Sequence, residues 1–419
     1  MTSGGPAAAA DRPRRRPPDR RDEILSVAAQ SFSARGYHAT RLTEIAEEVG
    51  ISAPALYRHF SGKYDLFAAA ALRLSEQLTA AADAVEACPD PRVELDRLLH
   101  ALLAFTWEKR AAGSLYRWEA RLLAPEDRRP IAAGGSAVHR RVRDLVHACD
   151  PAAEDRATGE QATGERATED RATGGRADVL ATAILSVVAS PVTHRVRTSR
   201  RTAMDVLCDA ADRLATLTPP MPADATEAGP GLAPAGRREA ILSESISLFA
   251  RRGYGEVTLE EIGAAVDLPA SGVYRHFESK AAILTAAFWR ASARTTAAIS
   301  AGLAEAATPR EAVVALARQY SALCVADPDI MTVFLSERGA LAPDDLRALR
   351  RQQRTNIDEW STWLQRARPD ISGSAARLLV HAALTVAGDL PARDAGVGAE
   401  TVGHLCAAVM LGADPRSVR

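Results

Sequence analysis

Few side chains in this sequence stand at spacings suited to covalent chemistry. Cys88, Cys149, Cys208, Cys324 and Cys406 lie far apart and form no CxxC pair. Neither a disulfide framework nor a thiolate zinc site is expected from them. His139, His147, His381 and His404 do not fall at metal-ligand spacing. There is no GxSxG, HExxH, Walker A loop or dinucleotide fingerprint, so no enzyme, cofactor or metal is expected. What recurs is a polar signature. LYRHFSGK carries Tyr57, His59 and Lys63, and VYRHFESK carries Tyr274, His276 and Lys280 at the same spacing. A phenol, an imidazole and an ammonium can all hydrogen-bond phosphate oxygens. The same residues can equally be a rim tyrosine packed on a neighbouring helix beside a solvated histidine. Spacing alone leaves both readings open.

The elements that carry this signature are themselves repeated. Residues 20–70 and 237–287 align without a gap at an offset of 217, with 21 identities in 51 positions. A weaker echo, EARLLAPED at 119–127 and ERGALAPDD at 337–345, follows at an offset of 218. The chain therefore reads as two homologous halves fused head to tail. In the first copy Ile24, Leu25, Ala28 and Phe32 recur at helical spacing up to Gly36. A second helix over about 41–49 ends at Gly50, and a third starts after the N-cap candidate Ser52. A three- or four-residue turn around a glycine between those helices is the helix-turn-helix spacing. Abundant Ala, Leu, Arg and Glu predict an all-α fold throughout.

At this point the sequence resembles a known family. FSARGYHATRLTEIAEEVGISAPALYRHFSGKYDLFAAA, and FARRGYGEVTLEEIGAAVDLPASGVYRHFESKAAILTAA in the second copy, look like the DNA-binding domain of TetR (tetracycline-repressor-like) regulators. The resemblance covers about fifty residues in each half. It implies a dimeric repressor that reads a palindromic double-stranded DNA operator, is released by a small-molecule effector, and catalyses nothing. It places Tyr57, His59, Lys63, Tyr274, His276 and Lys280 on the DNA backbone. The recognition turns are Ser52, Ala53, Pro54 and Ala55 in the first copy, and Pro269, Ala270, Ser271 and Gly272 in the second. Neither holds an Arg, Asn or Gln for bidentate base readout, so modest direct readout is expected. Thr258-x-x-Glu261 forms a capping box that Arg41 replaces in the first copy. Arg41 either contacts phosphate or is a surface residue, with Thr40 taking over the cap.

Lys plus Arg number 52 against 53 Asp plus Glu, so any nucleic-acid surface must be local. Residues 1–19 are expected to be a disordered basic arm, and the arginine run continues through Arg20 and Arg21. Residues 20–66 and 237–283 are the two helix-turn-helix domains. Residues 67–217 and 284–413 are helical regulatory domains, the first with a disordered insertion over 152–177, and 218–236 is a Pro/Gly/Ala-rich linker. Helices over 178–190 and 374–390 are candidates for a four-helix seam. Trp107, Tyr116, Trp118, Phe334, Trp360 and Trp363 either line ligand pockets or simply pack in the core. No apolar run of 18 residues is evident, so a cytoplasmic protein is expected. The leading expectation is a ligand-responsive repressor built as an intrachain pseudo-dimer, with a homodimer of fused chains as the other pairing. The alternative is a small-molecule- or protein-binding regulator in which one or both helix-turn-helix units no longer read DNA specifically.

Overall fold

Good helix formers dominate the chain, and among the described residues of the computed structural model the regular structure is helical with no strand. The description covers residues 20–113, 115, 122–150, 163–221, 236–394 and 396–412, with the backbone alone for 163–174. The first half begins with α1 (Arg20–Arg35), α2 (Leu42–Val49) and α3 (Ala53–Tyr57), which form a small head. Then come α4 (Lys63–Asp83), α5 (Pro91–Lys109), α6 (Pro125–Ala148), α7 (Thr163–Ala189), a 3-10 turn (Ser190–Val192) and α8 (Arg200–Ala215). The second half repeats the head as α9 (Arg237–Arg252), α10 (Leu259–Ala264) and α11 (Ala270–Tyr274). Its body is α12 (Lys280–Glu305), α13 (Pro309–Ala326), α14 (Pro328–Ser336), a 3-10 turn (Arg338–Ala340), α15 (Pro343–Ala367), α16 (Gly373–Arg393) and α17 (Ala399–Leu411).

The apolar spacing does what helical periodicity demands. Ile24, Ala28 and Phe32 of α1, Ile45 of α2 and Leu56 of α3 are almost fully buried around Phe67 of α4. Phe32 and Phe67 meet edge to face at 5.2 Å. Burying each such side chain stabilises the head by about 1.5–3 kcal/mol. Beyond α4 the core of the first head takes in only Ala112, Leu115, Leu123 and Ile131 of its body, whereas the core of the second head, Ile241, Phe249, Ile262, Val273 and Phe277, is continuous with the large cluster that fills both bodies. The proposed domain borders at 66/67 and 283/284 fall inside α4 and α12. Each head is therefore joined to its body by a continuous helix.

The two halves pair within the chain. Helices α7 and α8 pack against α16 and α17, burying Ile184, Val187 and Leu207 together with Val380, Ala383 and Leu405 in one cluster. Polar contacts cross the same seam. Ser186 Oγ donates to Asp389 at 2.7 Å, and the rings of His194 and His381 stack at 4.4 Å.

Three sequence expectations need correction. Residues 163–177, expected to be a disordered insertion, are the first turns of α7, while 151–162 lie outside the described residues. Ala, Glu and Arg in that tract are good helix formers, so the apolar seam segment has a helix to propagate into. The start of the expected linker also docks: Pro219 is buried and the Pro220 carbonyl accepts Thr401 Oγ1. Residues 222–235 lie outside the described residues. Finally, the window Gly175–Val192 is apolar and long enough to cross a membrane, but 72% of it is buried inside the protein, because this is the seam helix.

Candidate nucleic-acid interface

Each recognition turn is built by local rules. Gly50 closes α2 in the left-handed region (φ 73°), and the Ile51 amide donates to the Ala46 carbonyl at 2.9 Å. In the second head Asp267 takes that left-handed place (φ 55°), with the Leu268 amide on the Gly263 carbonyl at 2.9 Å. Ser52 caps α3: its Oγ accepts the Ala55 amide at 3.3 Å, and its O–H stays available to donate outward. The predicted capping box is present, with Thr258 Oγ1 accepting from the Glu261 amide and Glu261 accepting from the Thr258 amide. Thr40 is not a replacement cap. It is buried under α1, and its hydroxyl donates to the carbonyls of Gly36 (2.8 Å) and Ser31 (3.3 Å). Arg41 stays exposed at the start of α2 with its guanidinium unengaged by the described residues.

The two heads present the same exposed groups. Tyr57 is 55% exposed and Tyr274 is 56% exposed, although tyrosine normally hides its ring. His59 and His276 are exposed beside them. So are Arg58 and Arg275, which sequence reasoning missed even though both stand in the repeated YRHF string. Among the recognition-turn residues, Pro54 and Ser271 are exposed, and Ala53, Ala55 and Ala270 are half-buried. Gly272 is a correction: it is buried against Leu268, where an added Cβ would sit 3.2 Å away, so it offers nothing to DNA.

The lysines are also placed differently from expectation. Lys63 Nζ donates to the His38 carbonyl at 3.0 Å and lies 4.7 Å from the Tyr37 ring centre. Lys280 Nζ donates to the carbonyls of Val257 (2.7 Å) and Tyr254 (2.8 Å) and lies 4.4 Å from the Tyr254 ring centre. Burial pushes both ammonium groups below the ordinary lysine range. Each lysine ties down the loop between the first two helices of its head.

The arginines opening each head are occupied too. Arg20 and Arg237 donate to the carbonyls of Val49 (3.5 Å) and Val266 (3.1 Å). Arg21 and Arg238 lie over the rings of Phe60 (5.0 Å) and Phe277 (4.5 Å). These four brace the heads and are not part of a free arm; residues 1–19 lie outside the described residues.

The separation of the heads is set by contact. Glu256 stands 4.0 Å from His38, and a Cβ on Gly255 would fall 2.4 Å from His38 Nε2. Any larger residue at 255 would have to displace the His38 ring.

These geometries carry a prediction. Lys280→Met is expected to cost about 1–2 kcal/mol in urea unfolding, from the lost carbonyl bonds. It should leave the salt slope of DNA binding unchanged. Arg275→Ala should leave stability within about 0.5 kcal/mol and flatten that slope by about one. The opposite pattern would return the phosphate contact to the lysine.

Of the candidate pocket residues, Phe334 and Trp360 line a cavity of about 130 Å³ in the second body. Trp363 is elsewhere, donating Nε1 to Glu359 at 2.9 Å beneath Arg366. Trp107 lies under Arg110, and Tyr116 and Trp118 lie outside the described residues. Tyr320, Arg338 and His381 also line the cavity and were missed, because they converge from separate helices. All five cysteines are free, and among the described residues no group of three His, Cys, Asp or Glu could hold a metal.

Residues 24–70 and 241–287 each match the family model for bacterial regulatory proteins of the tetR family. The chain is 37% identical over 102 residues to the HTH-type transcriptional activator FasR of Mycolicibacterium smegmatis, covering 24% of this chain and 47% of that protein. It is 47% identical over 47 residues to the HTH-type transcriptional repressor KstR2 of the same organism, covering 11% and 23%. The chain thus spans about half or less of the length of these relatives. Among solved structures, a TetR-family transcriptional regulator from Bordetella parapertussis matches over 42% of this chain and 95% of its own, at 21% identity and a TM-score of 0.40.

Proposed function

With two tetR-family domains carried on one chain, we propose that the protein is a DNA-binding transcription regulator whose two heads work as a fused pair on one operator. The observation that supports this reading most is the duplicated exposed set Tyr57, Arg58 and His59 with Tyr274, Arg275 and His276, held on two heads that touch. Phosphate contacts from these groups set the register, and the recognition turns add limited base contact. Because the turns differ, APAL against ASGV after their caps, the operator is an imperfect palindrome with unlike half-sites. The paired halves supply within one chain the two-fold arrangement that such a site requires. Repression is the mode adopted in this reading, as in the name of the KstR2 relative, and activation, as in that of FasR, is the other mode. No catalytic step is part of this reading.

The test is binding of the purified chain to its own upstream DNA, with excess competitor at physiological salt, together with the mass of the complex. One chain per imperfect palindrome is expected. Two chains per site would keep the regulator and replace the self-paired arrangement with a dimer of fused chains. Failure to select any sequence from a randomised pool would overturn the regulator reading in favour of a protein whose heads bind something other than DNA.

A further inference from the structure

The cavity beside the seam holds an arginine that no described residue pairs with. It opens between α12, α13, α14, α15 and α16, and Thr193 of the first half closes one side. Phe334, Leu335, Ile357, Trp360 and Leu384 give it a largely apolar wall. Arg338 reaches into it from the 3-10 turn after α14. Its guanidinium is enclosed yet faces the cavity, and it makes no hydrogen bond or ion pair with any described residue. Burial and the neighbouring Arg350 push it below the ordinary arginine range. The cavity's carboxylate, Asp389, takes the Ser186 hydroxyl across the seam and forms no ion pair with Arg338. His381, pushed down to about 4 by burial and by Arg338 and Arg377, adds no charge at neutral pH.

A guanidinium with five donors enclosed without an acceptor is costly, and a bound anion removes that cost. The geometry points to a small organic carboxylate as the occupant, its anionic end on Arg338 and its apolar body against Phe334 and Trp360. The space of about 130 Å³ suits a body the size of one ring, since an apolar cavity of about 150 Å³ accepts benzene. At the offset that aligns the two segments, Ala120 holds the place of Arg338, so one site per chain is expected.

The same turn touches both heads. Glu337 accepts the Tyr254 amide of the second head at 3.0 Å. Gly339 lies so close to the first that an added Cβ would stand 2.6 Å from the Arg35 carbonyl oxygen. An anion that draws on Arg338 therefore acts on the segment that seats the two heads. This regulatory consequence rests on the function proposed above; the binding itself does not.

The experiment is calorimetric titration of the full chain, without DNA, with benzoate, phenylacetate and hexanoate, against benzyl alcohol and benzylamine. At least one carboxylate should bind once per chain, at least ten-fold more tightly than either control. Arg338→Met and Arg338→Gln should each weaken that binding at least ten-fold and raise the unfolding midpoint by about 2 °C or more, because an unbalanced charge is gone. Equal binding of benzyl alcohol, undiminished binding to both variants, or no binding by any of the three carboxylates would overturn the proposal. A chain that binds a carboxylate but selects no DNA would keep the site and remove the regulator reading.

Discussion

Replacing Tyr57 and Tyr274 together by alanine should weaken specific operator binding by about a hundred-fold or more, while the urea midpoint stays close to that of the unaltered chain. Each ring is more than half exposed, so its removal takes little apolar area from the folded state. Each phenol sits at the end of a recognition helix, one residue before an exposed arginine. Loss of about 1.5 kcal/mol of contact at each head multiplies to more than two decades when both heads sit on one DNA, since each 1.4 kcal/mol is ten-fold. The single variants should each lose about ten-fold, and unequally if the half-sites differ. A competition titration on a labelled operator fragment measures this directly. If the double variant instead unfolds at markedly lower urea and keeps its affinity once folded, the tyrosines are rim packing and the interface lies elsewhere.

Acid should open the seam. His194 and His381 stack across it, one from each half. Burial is the main reason that both imidazoles titrate below the ordinary histidine range; His381, Arg195 and Arg110 add to it for His194, and Arg338 and Arg377 for His381. The His194 Nδ1 accepts the Val196 amide at 3.2 Å, and its Nε2 has no partner. A histidine depressed in the folded state is held neutral there, while the unfolded chain takes up its proton near pH 6.5. The unfolded state therefore binds more protons below that pH, and stability falls as pH drops from about 6.5 to about 4, where His381 itself titrates in the fold. That gap corresponds to roughly 3 kcal/mol from His381, and His194 adds to it in the same direction. Urea midpoints measured from pH 7.5 to pH 4 should show this slope in the full chain. It should be much shallower in the His194→Leu, His381→Phe double variant. An equal slope in both chains would assign the acid sensitivity to carboxylates outside the seam.

The amino-acid sequence alone determined the duplication, the helical class and the local build of each head. Those depend on short-range rules. Apolar residues three and four apart make a buried stripe, Gly50 ends α2, Ser52 caps α3 and Thr258 caps α10, all through contacts within a few residues along the chain. The repeated Tyr and His were legible for the same reason. Repetition also concealed differences of role, because identical residues can be kept for packing or for binding. Lys63 and Lys280 share a string with Tyr57 and Tyr274, yet the lysines turn inward onto backbone carbonyls and the tyrosines face solvent. Which way a side chain points depends on the loop that folds over it, and Tyr37 and Tyr254 lie more than twenty residues upstream of their lysines. The seam and the cavity were still further from reach. The pairing of His194 with His381, and the placing of Arg338 among residues of five helices with no ion pair to any described residue, join positions that only tertiary packing brings together.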